Sequence, residues 1–471
     1  MKHSAVPAAS LRTFMSFSHD PHRARGSQQT GATLSRKPIG SRVASMLGAG
    51  LLALAWAMGS QAGDAVRAMP VSAFIDTLGV NTHINYTDGA YANLRNVADD
   101  LTWLGIHHVR DETPGGTVPL SSYAFLAQRG ARFNLFLHSP IPTAVELSAQ
   151  LNTAVPGSVA AIEGLNEVDN FPVPYKGLTG TAAGLAVQRE IYRRVHSEPQ
   201  LAGVAVYDLT GFDPKPVDTR ANAADYTNMH IYPQNGEQPS YNANGDKFMP
   251  PAIELFKKFQ RPNVITEFGY FSLPQSGWLM IGVDEQTQAK GILNGYMDAA
   301  AAGVARTYAY ELLDQKPDTQ GKENEMHYGF FRNDNSPKPV AHAVRNLTTI
   351  LNASALPRAG ADKRGAPPPA YTLSGLPVSG NSLLLQKEDG RFVLVLWDET
   401  QIWNRATGTP ITNPAADVEL DIGANASSVV IYDPLVSATP LASHRNVRRL
   451  KVAVPDHPLM LELTFSGTQG T

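Results

Sequence analysis

Two short stretches of this chain each run an apolar strand into a glutamate. They are Ala160-Ala161-Ile162-Glu163-Gly164-Leu165-Asn166-Glu167 and Asn263-Val264-Ile265-Thr266-Glu267-Phe268-Gly269. A carboxylate at the end of a buried strand is costly unless it faces a polar cavity. Glu167 and Glu267 lie 100 residues apart, yet two such strand ends can meet in one cleft if their strands belong to a barrel of parallel strands. Paired carboxylates across a cleft are what cleavage of a glycosidic bond requires. In that chemistry Glu167 protonates the leaving oxygen, which needs a pKa raised by burial or by a second carboxylate, and Glu267 is the nucleophile. A separation of about 5 Å would carry retention through a covalent intermediate, and a wider one inversion.

Elements that can position such a pair are legible. From Val71 to Asn352 short apolar strands alternate with amphipathic stretches, the rhythm of strand–helix units around a parallel sheet. Eight strands are expected, near Leu78–Thr82, His107–Asp111, Arg132–Leu137, Val159–Leu165, Gly203–Val206, Met229–Tyr232, Val264–Glu267 and Ala305–Tyr310. The span suits one (β/α)8 TIM barrel, an α/β fold whose active face is built by the loops after the strands. Strands four and seven lie on opposite sides of such a barrel. Supporting side chains fall at the right strand ends. Arg110 closes strand two and can keep Glu267 ionised by charge pairing, the alternative being a pair with Asp111 or another structural acid. His230 and Tyr232 share one face of strand six, Tyr232 placed to donate to Glu267 and His230 to bind a sugar hydroxyl or to pack in the core. Asn166 offers an amide to a sugar hydroxyl. His83 and His138 follow strands one and three and are expected on the same floor, with Tyr310 at the end of strand eight. Trp278, Tyr241, Tyr270, Phe271 and Tyr328 lie on the long loops, where rings either stack on sugars or pin the loops. His107 and His108, beside apolar residues, read as structural.

Composition narrows the function class. The 471 residues carry a formal net charge of −3, which gives no electrostatic reason to expect nucleic acid or an anionic membrane as partner. No cysteine is present, so disulfides and thiolate chemistry are excluded. No spacing of histidines and acids makes a metal site, no Gly-rich phosphate loop or GxSxG elbow occurs, and no cofactor is called for. At the N-terminus Arg23, Arg25, Arg36, Lys37 and Arg42 precede an apolar run from Val43 to Met58 and then Ser60-Gln61-Ala62. This is the pattern of a secretory signal, so residues 1–62 are expected to be a basic leader and signal peptide, cleaved after Ala62. The mature protein is then secreted or periplasmic without stable membrane insertion. The alternative is an uncleaved anchor helix, for which the run is short.

The barrel is expected over residues 70–352. A Gly/Pro-rich break at Arg358–Pro369 marks a domain edge. Beyond it, residues 366–471 alternate as strands and turns, with Asp389-Gly390 as a hairpin signal, and predict a small C-terminal β-sandwich. Asp417–Asp421 and Ser428–Tyr432 read as two separate strands.

The segments Ile162-Glu163-Gly164-Leu165-Asn166-Glu167 and Ile265-Thr266-Glu267-Phe268-Gly269 resemble those of the clan A glycoside hydrolases. His327-Tyr328-Gly329-Phe330-Phe331 followed by Ser336-Pro337-Lys338-Pro339 is similar to the closing segment of families 39 and 5. The resemblance implies a retaining (β/α)8-barrel enzyme. It assigns the acid/base to Glu167, the nucleophile to Glu267 and a substrate 2-hydroxyl contact to Asn166, with an oligosaccharide or polysaccharide as substrate. Two positions depart from the family pattern: Val168 stands where many relatives have proline, and Tyr308 and Tyr310 stand where many have a tryptophan. The competing readings are a non-catalytic carbohydrate-binding barrel serving exopolysaccharide handling, and a different barrel hydrolase or lyase using the same two acids.

Overall fold

The computed structural model describes residues 67–217, 223–241, 248–276, 282–351 and 367–465. The leader and Trp278 lie outside the described residues. Among the described residues no helix is long and apolar enough to cross a membrane.

Eight parallel strands form the barrel: β1 (Leu78–Asn81), β2 (His108–Glu112), β3 (Arg132–Phe136), β4 (Val159–Glu163), β5 (Ala205–Tyr207), β6 (Thr227–His230), β7 (Asn263–Phe268) and β8 (Arg306–Ala309). Around the ring they run β5-β4-β3-β2-β1-β8-β7-β6. A bridge between Tyr207 and Tyr226 brings β5 to the start of β6 and nearly closes the cylinder. Every residue of β1, β2 and β7 is buried, as expected for strands covered on both faces. The interior is packed with side chains: Tyr308 lies against Gly79, where an added Cβ would come within 2.5 Å of its ring, and Ala161, Tyr207 and Val264 share its cluster. The helices outside start and stop on local signals. Asn93 accepts from the Asn96 N–H at 3.3 Å to open Leu94–Leu104, and Gly105 closes that helix at φ 71°. Asp284 accepts from the Thr287 N–H at 2.7 Å to open Glu285–Ala301.

The C-terminal region is β-rich. Its strands are β9 (Thr372–Ser374), β10 (Gly380–Gln386), β11 (Phe392–Asp398), β12 (Ala416–Tyr432), β13 (Ala442–Val454) and β14 (Leu459–Thr464). They form one sheet, and Met69–Pro70, just before the barrel, adds a parallel strand to β10. The two strands expected at Asp417–Asp421 and Ser428–Tyr432 are one. Gly423, at φ 79°, carries the chain through a register shift between Asp421 and Ala426, the local kink a bulge provides. The first half of β12 pairs with β9 and the second with β14, so the sheet folds over its own apolar face. Alternation on β11 divides the two faces. Phe392, Leu394 and Leu396 fill the inner cluster, while Val393, Val395 and Trp397 join the barrel core. Trp397 Nε1 donates to Asp298 at 3.0 Å across that junction.

Candidate functional site

The C-terminal ends of β1, β4 and β7 converge on Arg110 of β2. Its guanidinium has five N–H donors, and all are used. Nη1 donates to Glu267 Oε1 at 2.6 Å and to Asn81 at 3.0 Å. Nη2 donates to Glu163 Oε1 at 2.8 Å and to Asn166 Oδ1 at 2.7 Å, and Nε to Glu163 Oε2 at 3.0 Å. The plane rests 4.5 Å from the Phe136 ring centroid. Of the alternatives, the pairing with Asp111 does not form, since that carboxylate accepts from Thr82 and from the Ile84 N–H, whereas a pairing with another buried acid, Glu163, does, alongside the one with Glu267.

Glu267 has Arg110 on one oxygen and the Tyr232 hydroxyl, at 2.6 Å, on the other. Burial pushes its pKa up, but the His230 and Arg110 charges and the hydrogen bonds from Tyr232 and Arg110 outweigh it and hold the carboxyl below its usual range. Glu167 sits just beyond β4 at φ 42°, a left-handed conformation costly for a residue with a Cβ. Its N–H donates to Thr210 Oγ1 at 3.0 Å and the Val168 N–H to Thr210 O at 3.0 Å, which fixes that turn. Glu167 Oε1 is 2.9 Å from His230 Nδ1, and Oε2 accepts from Asn170 at 3.4 Å. Oxygens of Glu167 and Glu267 and a nitrogen of His230 all lie within 4.8 Å of one another. Such a trio can ligate a metal, but any cation there would sit beside the Arg110 guanidinium, 2.6 Å from Glu267. The donor set suits proton transfer and carboxylate attack better.

His230, read from sequence as a sugar-hydroxyl contact or a core residue, has both ring nitrogens engaged. Nδ1 is 2.9 Å from Glu167 and 3.5 Å from Glu267, and Nε2 is 3.2 Å from Thr266 Oγ1. His83 stacks on Tyr86 with ring centroids 4.6 Å apart and lies 3.4 Å from Glu311, at the rim rather than on the two glutamates. His138 does not join the floor. Its side chain is 42% exposed and 3.7 Å from Glu112, because the chain beyond β3 turns it away from the pair. Tyr310 meets the rings of His83, Tyr232 and Tyr328 and places its hydroxyl 3.5 Å from Glu325.

Sequence reasoning missed Glu163, Thr266 and Glu325 as members of this site. Glu163 carries a readable signal: it is a fully buried acid on the same strand face as Ala161, two residues along an otherwise apolar strand. Glu325 reaches the cleft from a 3₁₀ turn, Asn324–His327. Burial and the charges of Glu267 and Glu167 push its pKa up to about 7, and burial does the same to Glu112.

No family model and no curated protein sequence matches this chain. Solved structures do. A family 39 glycoside hydrolase from Bacteroides cellulosilyticus WH2 is 13% identical, with 85% of this chain and 83% of that one covered at a TM-score of 0.57. A glucosidase from Croceicoccus marinus is 12% identical, with 79% and 92% covered at 0.50. At these identities the likeness is one of fold. The barrel and β-rich C-terminal region expected from sequence are both present in this chain.

Proposed function

We propose that the protein is a retaining glycoside hydrolase acting on β-linked oligo- or polysaccharides. The observation that carries this reading is the approach of Glu167 and Glu267 oxygens to within 4.8 Å at one barrel mouth, close to the separation that leaves room for a covalent intermediate and not for an intervening water. Their surroundings differ as two such roles demand. Glu267 is held ionised by two donors, while Glu167 faces a histidine nitrogen that can accept or return a proton.

In the first step a Glu267 oxygen bonds to the anomeric carbon, the glycosidic C–O bond breaks, and the leaving oxygen takes its electron pair and the proton of Glu167. In the second, Glu167 removes a proton from water as that water's oxygen displaces Glu267. With Nε2–H donating a hydrogen bond to Thr266 Oγ1, the Nδ1 of neutral His230 accepts from protonated Glu167; with both nitrogens protonated it donates to the carboxylates. Asn166 uses its oxygen on Arg110, which leaves its amide hydrogens to meet a 2-hydroxyl. The tyrosines around Tyr310 supply ring faces to the sugar. The basic, apolar and small-residue order of the leader supports a substrate met outside the cytoplasm.

Incubation with a 2-deoxy-2-fluoro aryl β-glycoside series, followed by peptide mass spectrometry, tests the reading. A glycosyl adduct on Glu267 and a β-configured first product by NMR are expected. An inverted product, or an adduct on another residue, would overturn it.

A further inference from the structure

The reaction above uses Glu167 and Glu267 and leaves a third carboxylate, Glu163, unassigned. Glu163 ends β4 and is completely buried. Three N–H donors hold it, and the Thr266 hydroxyl, which also faces Asn228 Oδ1 at 2.9 Å, makes a fourth contact. Arg110 Nη2 at 2.8 Å and Thr266 Oγ1 at 3.2 Å reach Oε1, while Arg110 Nε at 3.0 Å and Asn134 Nδ2 at 2.6 Å reach Oε2. The grip on Arg110 is bidentate, the strongest form of this pair. One guanidinium is therefore shared between the glutamate that would attack and a glutamate that never meets the substrate. Thr266 also touches His230, at 3.2 Å, and His230 touches Glu167, at 2.9 Å, so Glu163 stands where the surroundings of both reacting carboxylates join.

We propose that Glu163 is a positioning residue that aims Arg110 at Glu267 and serves as its permanent counter-charge through the reaction. This rests on the glycosidase reading. When a Glu267 oxygen bonds to the anomeric carbon and the leaving group departs with the Glu167 proton, Glu267 loses its charge. With Glu163 present, the trio of Arg110, Glu163 and Glu267 passes from one net negative charge to none. Without it, the trio would pass from neutral to a lone buried cation beside an anomeric carbon that is itself electron-poor in the transition state, an arrangement a low-dielectric site opposes strongly. Glu163 also divides the pull of Arg110, so that Glu267 is oriented without being over-stabilised in its resting state.

The test compares Glu163→Gln and Glu163→Asp with wild type, using the pH profile of kcat/KM. The groups facing Glu267 are Arg110 from β2, Glu167 after β4, His230 and Tyr232 from β6, and Glu325 and Tyr328 from the rim; none of these is changed. Turnover of an aryl β-glycoside by wild type comes first, and its absence would sink the glycosidase reading rather than this one. Given turnover, Glu163→Gln is expected to lower kcat about 10²-fold with KM little changed. It should also move the acid limb to lower pH by about one unit, because the negative charge next to the Arg110–Glu267 pair is gone. Glu163→Asp keeps the charge and should leave the limb in place while kcat falls less. A purely structural Glu163 predicts the opposite sign, since a displaced Arg110 would free Glu267 and move the limb upward in both variants. That upward shift, or an unmoved limb in Glu163→Gln, would overturn the proposal. If Glu163→Gln does not fold, Glu163→Asp alone decides between a fixed and a raised limb.

Discussion

The barrel holds two arginine-centred clusters, one at each end. At the C-terminal mouth Arg110 gathers Glu163, Glu267, Asn81 and Asn166. At the N-terminal end Arg306, which opens β8, donates to Asp76 Oδ2 at 2.5 Å, to the Asp76 carbonyl at 3.0 Å and to the Tyr207 hydroxyl at 3.0 Å. His108, which opens β2, lies 2.7 Å from the same aspartate. The components are alike, but what surrounds the carboxylates differs. Asp76 has one standing cation, Arg306, and beside it His108, whose pKa burial pushes down to about 4 so that it is neutral near pH 7. Glu267 shares its arginine with another acid and has Glu167 within 4.8 Å. A cluster with matched charges ties strands together; one with surplus carboxylates holds reactive groups in readiness. That division agrees with the general assignment of barrel chemistry to the C-terminal face and stability to the other.

The comparison breaks first at Glu267. Glu267→Ala is expected to remove at least about 10⁴-fold of kcat/KM, with a melting temperature no lower than wild type, because the mouth gives up a carboxylate from a surplus. Full activity in this variant would show that the mouth cluster is structural after all. Arg110→Lys comes next. A lysine cannot span Glu163 and Glu267 with a planar fork, so kcat/KM should fall about 10²-fold or more and the acid limb should rise as Glu267 loses a paired charge. A limb that stays put would place the control of Glu267 with His230 and Tyr232 alone.

Much of this was legible in the chain, for definite reasons. β1 and β7 carry short apolar stretches, Leu78-Gly79-Val80 and Val264-Ile265, and are buried throughout, so Leu78–Asn81 and Asn263–Phe268 fall close to where the pattern places them. The contacts of Glu267 with Arg110 and Tyr232 were legible because each lies at the end of its strand with known facing. What escaped was anything set by three strands at once. Glu163 gains its meaning from Arg110 on β2, Asn134 on β3 and Thr266 on β7, and no local spacing encodes that meeting. Glu325 depends on the path of a long loop, which periodicity does not describe. His138 was misplaced for the converse reason, since its position after a strand says nothing of which way the chain turns next. β12 is one strand where two are expected, because the register shift near Gly423 kinks the strand without ending it.

Arg306→Met moves the comparison to the other end. Losing the bonds to Asp76 and Tyr207 should cost about 2–3 kcal/mol by urea denaturation, with kcat and KM of the folded enzyme unchanged. A change in kcat at unchanged KM would mean that the floor sets the geometry of the mouth, and the two clusters would have to be treated as one.

The smallest effect belongs to Asp76→Asn, and its sign separates the clusters by pH. Burial pushes the Asp76 pKa up, but the His108 hydrogen bond and the His108 and Arg306 charges prevail and hold it at about 2, below the ordinary 3.8. A lowered carboxyl stabilises the fold above about pH 4 and loses that contribution as pH falls through 2. With a third of the side chain exposed, solvent screening leaves about 1 kcal/mol at pH 7. Denaturation midpoints should therefore differ between Asp76→Asn and wild type at pH 7 and converge near pH 2. The acid limb of kcat/KM should be identical in the two proteins, because Glu267, not Asp76, sets it. If Asp76→Asn shifts that limb, charge at the floor is felt at the mouth through β1, β2 and β8, and the separation drawn between the two arginine clusters fails.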